Sequence, residues 1–286
     1  MYKFLIITTT FLVALSSCQE VGPAINLNDR RGAGLVIDTM YQEALQTPQT
    51  KNVLLEDFTG IRCINCPNAQ TELKYLIGQH SGRLIGVSHH SVLQDEVYPV
   101  SRVELTSRVS QVIEDYLIYP GFKPSGSIDR ANLLNRTSLC YDYLEWAGAV
   151  NTRLNQTTTV NLNVIKEFSK TNGELTLDVR MHYIVNEIEP NRLTIFIVED
   201  SIVTAQLMPN NTINENYVHD HVVRLAVSDT LGDKLNYELN AGNTIRHVYQ
   251  NNLSGKELDF SHLKAIVFVH RFTTSKEVLQ VVELKL

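Results

Sequence analysis

The stretch NVLLEDFTGIRCINCPNAQTELKYLI, Asn52 to Ile77, decides the fold. Asn52 to Phe58 is a compact apolar run of strand length. Thr59 and Gly60 end it, and Cys63-Ile64-Asn65-Cys66-Pro67 follows. Beyond the motif, Ala69, Leu73, Leu76 and Ile77 recur at helical spacing. A CxxC pair between a strand and a helix is suited to thiol–disulfide exchange. Unpaired N–H groups at a helix start carry partial positive charge, which favours thiolate over thiol. Cys63 is therefore expected to be the attacking thiol, and Cys66, a turn later and more buried, the one that resolves a mixed disulfide. Arg62 adds positive charge next door. Pro67 is tolerated only near a helix start, so the helix must begin at or close to the motif.

Further along, Leu84 to Ser88 reads as a second buried strand. Val103 to Leu117 has a helical pattern with Val109, Val112 and Ile113 on one face, and Tyr119-Pro120-Gly121 breaks it. Ser125 to Asp129 is a short strand after Pro124, and Leu139 to Leu154 is a helix holding the single tryptophan, Trp146. Strand, helix, strand, helix, strand, helix predicts an α/β thioredoxin-like domain over residues 51–155. Such a fold needs a cis-proline loop facing the CxxC. Pro124 is placed for that role, because cis bonds are concentrated at X-Pro. Lys123 would then be available to a partner's backbone. Pro120, in its turn before Gly121, is the rival. The string Cys63-x-x-Cys66-Pro67-x-Ala69 resembles the CxxCPxA pattern of glutaredoxin-like proteins.

Other chemistries for the pair are weaker. A structural zinc needs four ligands, and although Cys140, His80, His89 or His90 could add two, none has CxxC spacing. A c-type haem needs histidine after the second cysteine, where Pro67 stands. A structural disulfide without turnover is the serious alternative, since CxxC in a strand-to-helix turn is more specific for fold than for catalysis.

The pattern changes after Asn155. Residues 158–168, 174–185, 193–203, 221–227, 244–249, 264–272 and 278–286 read as strands, most of them alternating. Leu175, Leu177, Val179 and Met181 point one way, with Thr176, Asp178 and Arg180 the other. About seven such strands predict an all-β, immunoglobulin-like sandwich over residues 156–286.

At the other end, Lys3 and the apolar run Phe4 to Leu15 fit a signal peptide over residues 1–17, too short for a span of ~20 residues. Leu15-Ser16-Ser17-Cys18 resembles the lipobox of bacterial lipoproteins, with Cys18 as the lipidated residue. Gln19 lacks the aspartate that commonly signals inner-membrane retention, so an outer-membrane anchor is expected. Residues 18–50 read as a lipidated tether, with some local order near Leu35 to Leu45. An exported chain meets an oxidising compartment, so the close pair Cys63 and Cys66 should rest as a disulfide. The net charge of −6 and the absence of a basic run argue against nucleic acid as a partner.

The stretch Val53 to Leu73, and later YVHDHVVRLAVSDTLGD from Tyr217 to Asp233, resemble two recurrent blocks of the Omp-twenty-eight family of outer-membrane lipoproteins. The resemblance implies a thioredoxin-like domain, a C-terminal β-sandwich and residence at the outer membrane, and no known reaction. Thioredoxins have Trp before the first cysteine, where this chain has Arg62.

Several further residues admit two readings. His219 and His221 could bind metal with Asp220 or Glu215, or belong to a polar loop docked on the other domain. His89 or His90 could accept a proton from the buried thiol, or simply end a strand. Asp57 sits where thioredoxins keep a buried acid, or Glu56-Asp57 is solvated. Cys140 reads as a buried inert thiol and Trp146 as core. Two functions follow. One is a membrane-anchored thiol–disulfide oxidoreductase acting on envelope protein or peptide thiols, with no cofactor or metal. The other is a non-enzymatic envelope binding or assembly protein whose CxxC is a staple.

Overall fold

A computed structural model describes residues 34–117 and 121–286. The expected signal segment 1–17, the lipid-bearing Cys18, the first part of the tether and the Tyr119-Pro120 turn lie outside the described residues. The chain runs β1 (Leu35–Gln42), β2 (Val53–Thr59), α1 (Cys66–Gln79), β3 (Leu84–His90), α2 (Arg108–Tyr116), β4 (Ser125–Ile128) and α3 (Trp146–Leu154). There follow β5 (Val160–Phe168), β6 (Glu174–Tyr183), β7 (Asn191–Glu199), β8 (Ile202–Leu207), β9 (Ile213–His219) and β10 (Val222–Ala226). The last strands are β11 (Asp233–Lys234), β12 (Asn243–Asn252), β13 (Leu263–Arg271) and β14 (Val278–Lys285).

Local chemistry sets the helix starts. Pro67 sits in the first turn of α1, where its missing N–H costs nothing. The Ser107 side chain accepts from the Ser110 N–H and caps α2, so that helix begins later than its apolar pattern, which starts at Val103. Asp142 and Glu145 form a capping box around a short 3-10 turn, Tyr143–Glu145, which delays α3 relative to the helix expected from Leu139.

The strands form three sheets. The largest has the order β14-β13-β7-β10-β3-β2-β4, with β11 added to β7. Within it β2–β3 and β3–β10 are parallel. A four-stranded sheet has the order β1-β12-β6-β5, and β8 and β9 make a separate hairpin. The change of pattern at Asn155 is therefore no break in the sheet. Strands from both sides of it share one eight-stranded sheet, and residues 31–286 form one compact unit.

Alternation explains how that sheet is covered. On β7, Leu193, Ile195 and Ile197 face a core shared with the four-stranded sheet, including Leu177, Val179, Met181 and Ile245. Phe196 and Val198, at the intervening positions, join a second core with Leu54, Phe58, Val87, Ile113 and Phe268. On β2, Val53 and Leu55 turn to a third core with Leu73 of α1 and Trp146 and Val150 of α3. One face of the sheet thus carries an apolar layer under α2, interrupted by the buried Glu56, Arg130 and His89. The other is covered by helices at the β2 end and by the smaller sheet at the β7 end.

Three expectations are corrected. Residues 35–42, read as part of a tether with some local order near Leu35 to Leu45, are strand β1, hydrogen-bonded along β12. The single strand expected over 193–203 is β7 and β8, parted at Ser201, whose φ is 62°. Strand β9 has no counterpart in the sequence reading. Among the described residues, no helix is long and apolar enough to cross a membrane.

Candidate active site around the Cys63–Cys66 disulfide

Strand β2 ends at Thr59, and the chain turns through Gly60 to the two cysteines. A Cβ on Gly60 would meet the Gln94 carbonyl oxygen at 2.5 Å, so only glycine allows this close approach. Cys63 and Cys66 form a disulfide. Cys66 is the first residue of α1 and Cys63 lies just before it, so the helix start acts on both. No acidic residue in the first turn neutralises that positive end. The expected contrast of an exposed Cys63 and a buried Cys66 is absent: the two are 2% and 1% exposed.

A buried acid is bonded to the same helix. Asp57, fully buried on β2, accepts from Gln70 Nε2 at 2.5 Å, and the same amide nitrogen donates to Ser88 Oγ at 3.0 Å. Gln70 stands one helical turn beyond Cys66, which brings the carboxyl to the first turns of α1. The other oxygen, Asp57 Oδ1, has no hydrogen-bond partner. Burial pushes the Asp57 carboxyl up to about 7, against the pull of the Gln70 hydrogen bond and the Lys123 charge. The solvated reading of Glu56-Asp57 does not hold for either residue. Glu56 is fully buried too; burial pushes its carboxyl up, but Arg130, at 2.8 and 2.7 Å, and His89 hold it down at about 2.

The Lys123–Pro124 peptide bond is cis. Ser125 pairs with Phe58, so Pro124 lies at the end of β2 from which the CxxC loop departs. Lys123 is not free for a partner. Its ammonium is buried and donates to Ser91 Oγ at 3.0 Å and the Leu93 carbonyl at 2.7 Å, with Glu114 at 3.4 Å. Burial pushes its pKa down, and Glu114 and Asp95 oppose this. Arg62 is also engaged: it donates to the Glu96 and Val97 carbonyls at 2.6 and 3.1 Å and stacks 4.3 Å over the Tyr98 ring. Both cations thus tie down the loop after β3.

The two adjacent histidines part company. His89 turns to Glu56 and Ser110 in the core under α2. His90 turns to the site, with Nδ1 2.9 Å from Asp95 Oδ2, while Asp95 Oδ1 accepts the Ile61 N–H at 2.8 Å. The His219 ring packs on His90 with centroids 5.6 Å apart and on Tyr217 at 4.8 Å. Burial and the neighbouring His90 push His219 down to about 3, so it is neutral at physiological pH. His221 occupies the turn before β10, and its carbonyl accepts the Ser88 N–H at 2.7 Å. Among the described residues no cluster could hold a metal ion. Cys140 is buried, with its thiol pushed up to about 12 by burial, and lies ahead of α3 rather than on it.

Sequence reasoning missed Gln70 and Gln206. Gln70 could have been found by its spacing of four from Cys66. No sequence signal marks Gln206, whose Nε2 donates to the Cys63 carbonyl at 3.2 Å from a strand 143 residues away.

Comparison with known proteins fits this architecture. A family model described as outer membrane protein Omp28 matches residues 115–286. The chain belongs to the Omp28 family. Membership assigns it to the outer membrane. The matched span begins after the CxxC, so membership says nothing about the disulfide. The solved structure of HBP35 of Porphyromonas gingivalis is similar in fold. Its TM-score is 0.66 at 20% identity, over 84% of this chain and 77% of that one. A structural-genomics protein of Agrobacterium tumefaciens aligns with a TM-score of 0.53 at 13% identity, over 83% and 96%. No functionally curated protein matches this Omp28 member.

Proposed function

We propose that this Omp28 protein is a lipid-anchored envelope protein whose α/β half is thioredoxin-like and exchanges disulfides through Cys63 and Cys66. The observation that carries the reading is Asp57. A fully buried carboxyl with one orphaned oxygen, held by Gln70 one helical turn beyond Cys66, destabilises the fold and serves no staple. The parallel β2–β3 pair and Pro124 at the adjoining strand end support the thioredoxin-like part. The Leu15-Ser16-Ser17-Cys18 string supports lipid on Cys18, and fatty-acid label retained by a Cys18→Ser chain would remove that part.

In the oxidising direction, a partner thiolate attacks Cys63 Sγ. The Cys63–Cys66 bond breaks, its electron pair leaves on Cys66, and Asp57 in its protonated form supplies the proton. A second partner thiolate then attacks the partner's sulfur in the mixed disulfide and releases Cys63. One disulfide is reduced as one dithiol is oxidised, so no cofactor is required. A Cys66→Ser chain should accumulate a mixed disulfide through Cys63 with an envelope protein, and a Cys63→Ser chain should not. Equal absence of adducts in both would leave the staple reading. The burial of both sulfur-bearing residues favours that second reading, unless something covering them moves.

A further inference from the structure

The β8–β9 hairpin is bonded to the loop that carries the disulfide. Its attachment to the disulfide loop is specific. Gln206 Nε2 donates to the Gly60 carbonyl at 3.3 Å and the Cys63 carbonyl at 3.2 Å. The Leu207 N–H donates to the Ile61 carbonyl at 2.8 Å. Three carbonyls along the loop that carries the pair are therefore occupied by one segment of β8. These carbonyls belong to the turn that leads into Cys63, and all three are already taken.

The same hairpin is integrated mainly through β8, which is mostly buried. It forms its own two-stranded sheet and joins neither larger one. Most of β9 is exposed. Its apolar anchor is a small cluster of Ile61, Leu105, Ile202 and Val222, apart from the three main cores. Further ties are the packing of the His219 ring on His90 and polar contacts, among them the Arg102 N–H to Thr204 Oγ1 at 3.0 Å, Arg102 Nη2 to Asn216 Oδ1 at 2.8 Å and, just past β9, Lys74 to Asp220 at 2.8 Å. A two-stranded hairpin is marginal on its own, so opening it should cost less than disrupting the three main cores.

We propose that the β8–β9 hairpin is a displaceable cover over the Cys63–Cys66 disulfide, latched on the Gly60–Cys63 carbonyls by Gln206 and Leu207. The proposal rests on the exchange reading and explains how a buried pair can turn over. A partner gains access by taking the carbonyls that Gln206 and Leu207 release.

The test is the rate at which dithiothreitol reduces the pair in the full chain, read by acid quenching and thiol mass-tagging. The reductant's two thiols become its cyclic disulfide as Cys63 and Cys66 become thiols. Gln206→Ala should be reduced about thirtyfold faster than the parent, the effect of losing two ordinary hydrogen bonds. Glu215→Ala, an exposed change on β9, should match the parent. Reduction of Gln206→Ala at the parent rate, or equal acceleration by both changes, would overturn the cover. Hydrogen exchange of the unaltered chain gives a second readout. The Leu207 amide should exchange through local opening, well before Ile266 in β13, and release of both together would overturn the proposal. These readouts need no envelope partner. Trapping through Cys63 without a hairpin effect would remove the cover alone, and a hairpin effect without trapping would remove the exchange reading.

Discussion

Replacing Asp57 with asparagine removes a charge from the interior while keeping the side chain's shape, and its effect should depend on pH. Burial raises the Asp57 carboxyl from an ordinary 3.8 to about 7. A folded-state pKa above the unfolded one means that the unfolded chain holds the charge more readily. Stability is then unaffected by this group below about pH 4 and falls as pH rises through 7. The rise is about three pKa units, and at about 1.4 kcal/mol per unit the ionised carboxylate costs the fold about 4 kcal/mol. An asparagine side chain in its place does not titrate. Its amide brings its own fixed cost, because a buried donor must find a partner, but that cost is the same at every pH. Burial pushes Tyr217 up to about 12 and His219 down to about 3, so neither titrates between pH 4 and pH 8. Urea unfolding of the oxidised parent and Asp57→Asn chains, at pH 4 and pH 8, isolates the titration. The variant's stability relative to the parent should improve by up to about 4 kcal/mol between the two. A relative stability that is the same at both pH values would refute the burial argument.

Two more outcomes follow from the packing. Glu56→Gln leaves the Arg130 guanidinium, 1% exposed, without its counter-charge, and should cost about 3–5 kcal/mol in urea unfolding, where a solvated Glu56 would cost under about 0.5. Gly126→Ala puts a Cβ 2.7 Å from the Trp146 ring where α3 crosses β4, and should cost about 1–3 kcal/mol and shift the tryptophan fluorescence.

What could be read from the sequence was what repeats at short range. Strands β2, β3, β6, β7 and β13 announce themselves because their apolar residues recur with the period of a buried strand, and α1 because Leu73 and Leu76 follow Ala69 on one face. Strand β9 was silent for a physical reason. INENYVH has little apolar face because it is held by its ladder to β8 and by His219, not by a core. Strand β1 is similar: Val36 and Met40 stay exposed, and its hydrogen bonds go to a partner about two hundred residues later. The joining of the two halves was equally hidden. Strand β10 meets β3 at a single pair, Val222 with Ser88, and no local pattern encodes a contact over that separation. At the site, the cysteines and Pro124 could be named because their residue types are distinctive. The burial of Asp57 could be named only as one of two readings, because β2 is covered on both faces and a polar residue inside such a strand looks like a solvated one. The covering of Cys63 by Gln206 is a tertiary event with no sequence signature.

The most direct measurement on the central claim is the reduction potential of Cys63–Cys66 in the folded full chain, set in a dithiothreitol or glutathione redox buffer and read by thiol trapping. A pair that exchanges with envelope thiols must be more oxidising than about −300 mV, the level below which structural disulfides usually lie. The account predicts a potential above that level. A value below it would contradict exchange and leave the disulfide as a staple in the loop between β2 and α1.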